Sequence, residues 1–184
     1  HETYVFGSNG SGGLGVNDDV NRSSPIQLPG NNWNTSNTRT NSGTNGATLV
    51  SKNDGTLWSW GTNTDGQLGL NATTKRSSPT QIPGIEATWA SNLGEFGIAA
   101  GGELWAWGIN QVGVLGQNGA INVGNYKISS PVQVPGTTWR SVSGYHANNT
   151  ASRIIATKTD GTLWGWGGNT DGGIGVNSRT DQSS

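Results

Sequence analysis

The chain has 184 residues, ten basic and eleven acidic side chains, a formal net charge of −1, and neither cysteine nor methionine. Balanced charge without a basic patch argues against a nucleic-acid partner, and the absence of cysteine removes disulfides, thiolate nucleophiles and zinc–thiolate sites. No apolar run approaches the roughly 20 residues of a membrane-spanning helix.

In chain order, the first predicted element is the short aromatic strand Tyr4-Val5-Phe6-Gly7. A glycine-rich loop follows, Gly-x-Asn-x-x-Gly-x-Leu-Gly, with Gly7, Asn9, Gly12, Leu14 and Gly15. Next comes Ser-Ser-Pro-x-Gln-Leu-Pro-Gly from Ser23 to Gly30, which reads as an edge strand because each proline removes a ladder donor. Trp33 stands a few residues beyond. The apolar run Thr48-Leu49-Val50, the turn Asp54-Gly55 and the run Leu57-Trp58-Ser59-Trp60 then form a hairpin signal, since glycine accepts the positive φ of a tight turn.

The whole series recurs. Trp58-Ser59-Trp60-Gly61 is matched by Trp105-Ala106-Trp107-Gly108 and Trp164-Gly165-Trp166-Gly167. The proline element returns at Ser77 to Gly84 and Ser129 to Gly136, and the following tryptophan at Trp89 and Trp139. The first proline steps by 79 − 25 = 54 and then 131 − 79 = 52 residues. Ser183-Ser184 stands where a fourth proline element opens. The repeats run approximately over 1–54, 55–101, 102–160 and an incomplete 161–184. Several short strands per period, with no helical periodicity, predict an all-β fold of consecutive four-stranded β-propeller blades, the aromatic strands buried between them. A unit of this kind cannot bury its own apolar face, so neighbours must stack. The expectation is three and a half repeats of a longer ring, the remainder lying in the same polypeptide or, less favoured, in a second copy.

Leu-Trp-x-Trp-Gly-x-Asn-x-x-Gly-x-Leu-Gly followed by Ser-Pro-x-Gln-x-Pro-Gly resembles the regulator of chromosome condensation repeat family over the whole chain. The low charge and Asn/Thr-rich loops are most similar to its bacterial and viral members. The resemblance implies a seven-bladed propeller, of which this chain holds about half, and a binding platform. The family's founding member is a nucleotide-exchange factor for the GTPase Ran and docks on chromatin; other relatives are secreted inhibitors of β-lactamase. Exchange depends on an inserted wedge and charged surface residues. No such insertion is seen here, so that activity is not carried over.

Other signals are weaker. Gly10-x-Gly12-x-x-Gly15 matches a dinucleotide fingerprint, but no helix is predicted to follow, and a turn is expected. Asn63-Thr64-Asp65-Gly66 and Asn169-Thr170-Asp171-Gly172 lack the closing ligands of a calcium loop and read as Asx-turns. Neither a cofactor nor a metal is expected. His146 has no nucleophile or orienting carboxylate beside it in sequence, so a general base is disfavoured.

Functional freedom lies where the repeats differ. From loop glycine to Ser-Ser the spacing is 23 − 15 = 8, 77 − 69 = 8 and 183 − 175 = 8, but 129 − 116 = 13 in the third unit. The extra residues fall within Gln117 to Ile128. The second unit lacks a stretch that the others carry within Asn34 to Gly46 and Tyr145 to Arg153. Length changes between repeats fall in loops, often on the binding face. Tyr126 and Tyr145 occupy these stretches, and tyrosine is a favoured interface anchor. Tyr126, Tyr145 and the adjoining His146 are the candidate partner-binding residues. The composition favours a non-catalytic structural or protein-binding propeller, engaging a protein partner or its own assembly, as a surface, adhesive or virion component. The alternative is a regulatory or inhibitory propeller docking one protein. An extracellular or virion setting is favoured.

Overall fold

A computed structural model describes residues 2–34, 39–40, 46–86, 95–118, 126–145 and 152–183. Its strands are β1 (Tyr4–Gly7), β2 (Arg22–Gln27), β3 (Arg39–Thr40), β4 (Ala47–Ser51), β5 (Thr56–Gly61) and β6 (Arg76–Glu86). They continue as β7 (Phe96–Ile98), β8 (Leu104–Ile109), β9 (Lys127–Gln133), β10 (Trp139–Tyr145), β11 (Arg153–Lys158) and β12 (Leu163–Gly167). The one helical element among the described residues is a 3₁₀ turn at Gln111–Gly113.

The strands form separate antiparallel sheets in the orders β1-β2, β3-β4-β5-β6, β7-β8-β9 and β10-β11-β12. This is an all-β, partial propeller. Only the second sheet shows four strands among the described residues, where four were expected of each blade. The first sheet holds the counterparts of β5 and β6 alone. In the third, the expected first strand falls on residues 87–94, outside those described. In the fourth, Gln182 bridges Gly167 just as Arg76 pairs with Gly61, so the last strand begins in the expected register. Each sequence period thus crosses from one sheet to the next.

Local chemistry explains the elements. The proline-bearing strands β2, β6 and β9 lie at sheet edges, where a missing N–H breaks no ladder. At the β4–β5 hairpin Gly55 takes φ 84°, and Gly161 takes φ 85° at β11–β12. The Gly10–Gly15 frame folds into consecutive turns. Gly12 N–H donates to the Asn9 carbonyl at 2.8 Å and Gly15 N–H to the Gly12 carbonyl at 3.1 Å, and no helix follows. The loop asparagine forms no Asx-turn. Its carbonyl accepts from the N–H five residues on, not two: Asn63 from Leu68 at 3.0 Å, Asn9 from Leu14 at 2.8 Å, Asn110 from Leu115 at 2.9 Å. Asn63 Nδ2 also donates to the carbonyls of Ala72 and Thr74. One buried amide thereby ties both limbs of the loop together, beside the loop's own turn bonds.

The second aromatic of each tryptophan pair is core, with Trp60, Trp107 and Trp166 exposed by 2%, 0% and 2%. Trp33 and Trp139 are buried as well, and Phe96 lies in β7; Trp89 falls outside the described residues. The first aromatic is different. Trp58 and Trp105 are half-buried, while Tyr4 and Trp164 are exposed. Residues two apart on a strand share a face, so both aromatics of a pair turn toward the preceding unit, but only the second lies beneath its loop.

That arrangement makes a repeated joint between units. The Trp60 indole N–H donates to the Gly13 carbonyl at 2.9 Å, Trp107 to Gln67 at 3.0 Å and Trp166 to Val114 at 2.7 Å. Beside it, the N–H groups of Asn17, Asn71 and Asn118 donate to the carbonyls of Ser77, Ser129 and Ser183. A Cβ on Gly12 or Gly66 would lie 2.7 Å from the Cα of Ser77 or Ser129. Only glycine lets loop and strand backbones approach this closely.

Candidate partner-binding surface

Tyr126 and Tyr145 stand at corresponding ends of adjacent sheets. The Tyr126 carbonyl accepts from Asn110 N–H at 2.8 Å, directly beyond β8. Tyr145 pairs with Arg153, which pairs with Gly167 at the end of β12. Gly108 and Gly167 are the same position of the repeat, so both rings emerge at the end where the glycine loops lie. Their exposures are 60% and 54%. His146 and most of both length-variable stretches lie outside the described residues. On the same end, Lys127 reaches Asp65 at 2.8 Å and Lys75 pairs with Asp19, each ion pair joining consecutive units.

A second recurrent cluster was not singled out in the sequence. The Lys52 ammonium lies 4.7 Å from the Trp33 ring centre and 4.1 Å from that of Trp58. Lys158 lies 4.7 Å from Trp139 and 4.4 Å from Trp164. At the neighbouring hairpin, Asp54 Oδ1 accepts from Thr56 N–H at 2.9 Å and Thr56 O–H at 2.7 Å, and Trp58 Nε1 donates to Thr56 Oγ1 at 2.8 Å. Asp160, Thr162 and Trp164 repeat this chain. The shared Lys-x-Asp-Gly-Thr-Leu-Trp spelling was the available signal; it is absent from the third sheet, where Ala99, Gly101 and Glu103 stand instead. Each cluster holds a cation between two indoles, and its Asp, Thr and Trp58 or Trp164 side chains bond only within their own hairpin, so it reads as a brace.

The Thr56 hydroxyl, then its N–H and the Lys52 charge, hold the Asp54 carboxyl below its ordinary range; Thr162 and Lys158 do the same for Asp160. A depressed folded-state value means that the stabilisation is present above the unfolded value and is lost as pH falls through the folded one. The thermal midpoint should therefore fall as pH drops below about 4. An Asp54→Asn/Asp160→Asn double variant should lose less on acidification in parallel thermal melts. An identical slope would remove these hairpins as contributors.

Among the described residues no cluster of His, Cys, Asp and Glu could hold a metal ion. No helix among them is long and apolar enough to cross a membrane.

One repeat of the chain has a counterpart among known proteins. Residues 54–91 match the regulator of chromosome condensation (RCC1) repeat. This chain carries an RCC1 repeat. No curated protein matches it. Among solved structures it is similar to Prp20p from Saccharomyces cerevisiae, with a TM-score of 0.72 and 16% identity over 98% of this chain and 44% of that one. The structure of yeast RCC1 (Prp20) bound to Kap60 matches with a TM-score of 0.67 and 18% identity over 98% and 43%. Human WBSCR16 matches with a TM-score of 0.58 and 18% identity over 98% and 60%. The chain thus spans about half the length of the RCC1-like propellers it resembles, and at these identities the likeness is one of fold.

Proposed function

We propose that this chain is a non-catalytic, protein-binding propeller whose contact surface includes Tyr126 and Tyr145. The carrying observation is the pair of exposed tyrosines at the loop end of adjacent sheets, each beside a stretch whose length departs from the repeat. Repeat-matched residues serve packing and have little freedom to serve a partner; these do not repeat. Among the neighbouring structures, the binding of Prp20p to Gsp1p and histones and of yeast RCC1 to Kap60 supports protein partners for the fold. Low charge and Asn/Thr-rich loops support a surface, adhesive or virion setting like that of bacterial and viral members, and leave nucleic acid out. The second reading is a regulatory or inhibitory propeller docking one protein, favoured by the named complexes of its neighbours.

The two readings separate in a binding assay with purified Gsp1p, core histones and Kap60 as probes, run beside light scattering of the chain alone. Binding to one probe supports the second reading. Self-assembly that Tyr126→Ala weakens, with no probe bound, supports the first. In either case Tyr126→Ala and Tyr145→Ala should weaken the contact by about 2 kcal/mol, while the thermal midpoint barely moves. If both variants lose fold stability and keep every contact, the tyrosines are packing residues.

A further inference from the structure

The glycine loop of the third unit departs from its three siblings at one residue. The position before the second loop glycine is Ser11, Asp65 or Asp171 in the other loops and Val112 here. Ser11 and Asp171 are exposed and Asp65 is half-buried, whereas Val112 is only 3% exposed. Val112 also takes φ 52° and ψ 24°, while none of the three polar residues has a positive φ. A β-branched side chain is strained in that region, because its Cβ crowds the following carbonyl. In the siblings the turn bond runs from the glycine N–H to the carbonyl of the loop asparagine: Gly12 to Asn9 at 2.8 Å, Gly66 to Asn63 at 3.2 Å, Gly172 to Asn169 at 2.8 Å. In the third loop it starts one residue later, from Val114 N–H to the Gln111 carbonyl at 3.1 Å, and no sibling makes that bond.

The residue type explains the departure. A polar side chain gains nothing by turning inward, so its backbone keeps an ordinary φ. Valine gains by leaving water, and here it does so with the Gln111–Val112 peptide plane turned over, at the cost of a left-handed backbone. The burial of one valine and the strain of one residue are of the same order and opposite sign. The two turns therefore lie close in free energy. The loop is also tied to both of its neighbours. Asn110, its first residue, donates its N–H to the Tyr126 carbonyl at 2.8 Å. The Val114 carbonyl accepts the Trp166 indole N–H at 2.7 Å, and a Cβ on Gly113 would stand 2.8 Å from Ser183 Cα.

We propose that the Asn110–Gly113 loop is a two-state element, exchanging between the buried-valine turn and the turn of its siblings by rotation of the Gln111–Val112 peptide. The exchange is felt at the Tyr126 main chain on one side and at the Trp166 indole on the other. The sibling loops, with a polar residue before the glycine, stay in one turn. The exchange belongs to the chain alone and needs no partner; its consequence for a contact at Tyr126 rests on the surface proposed above.

NMR relaxation dispersion on the 184-residue chain tests this, since it reads exchange on the microsecond-to-millisecond scale. A minor turn populated at roughly 0.1–10% is expected. Dispersion should appear at the amides of Asn110 to Val114 and at the Trp166 indole, and not at Thr64 to Gln67 of the second loop. Val112→Asp installs the residue of the second and fourth loops. It should abolish the dispersion and move the Asn110 and Trp166 signals to the shifts that the native dispersion assigns to the minor turn. Hydrogen exchange at the Val114 amide should speed up roughly two- to tenfold as its bond is lost. A native chain without dispersion in the third loop, or with equal dispersion in the second, overturns the proposal. So does a folded Val112→Asp chain that keeps a positive φ at residue 112. If that variant does not fold, the native dispersion decides alone. Tyr126→Ala keeps the carbonyl that Asn110 bonds and should leave the exchange unchanged, so failure of the tyrosine surface and failure of this switch are told apart.

Discussion

Trp107→Ala is expected to lower folding stability by about 3–5 kcal/mol. Trp107 is fully buried, and its ring is clustered with Leu49, Leu57 and Ile82 of the preceding sheet. The walls of the resulting cavity are strands in two separate ladders, which cannot close on the void without breaking register. The indole N–H bond to the Gln67 carbonyl at 3.0 Å is lost as well, leaving a buried acceptor short of a partner. Trp164→Ala is the control. That ring is 45% exposed, and its N–H bonds only its own hairpin, at Thr162. Chemical denaturation of the two variants should give clearly unequal losses; equal losses would mean that Trp107 is not the keystone of its joint.

Gly66→Ala should approach that effect with the addition of one methyl group. Gly66 sits at φ 76°, where an alanine costs roughly 1–2 kcal/mol from backbone strain alone. The methyl would also stand 2.7 Å from Ser129 Cα and 3.1 Å from the Ile128 carbonyl, both main chain and unable to rotate away. The loop must lift from β9, and the Asn71–Ser129 and Trp107–Gln67 hydrogen bonds beside it loosen together. Gly55→Ala separates the two costs, because Gly55 has φ 84° but nothing within 4 Å of the added methyl. Thermal melts should show Gly55→Ala mildly destabilised and Gly66→Ala far more so. Matching midpoints would show that the close approach between units carries no weight.

The asparagine loops illustrate how much of this was readable in one dimension. Their spacing marked a turn before a leucine, and the turn is there. The bond that makes it, Asn63 to the Leu68 N–H and to the carbonyls of Ala72 and Thr74, spans distances that an Asx-turn does not, because the chain folds back on itself beyond Gly69. Tyr126 and Tyr145 stand out in the sequence because they break the pattern, and both are exposed. The Lys52 and Lys158 braces escaped notice. A lysine five residues before a leucine says nothing until a tryptophan from the previous strand, Trp33 or Trp139, is brought over its ammonium.

From the sequence alone came the repeat, its period, the strand character of its aromatic runs, the edge position of its prolines and the need for neighbours. These are properties of local chemistry and of side-chain spacing, which any one unit carries by itself. What only the tertiary structure decided is which partner each side chain meets. Trp60 and Trp58 are spelled alike, yet one is sealed beneath the Gly13 carbonyl and the other packs against a lysine. Gly66 and Gly55 share a positive φ, yet one touches the next unit and the other touches nothing. The difference arises between units, in contacts separated by some forty or more residues along the chain, and such contacts exist only once the sheets have stacked.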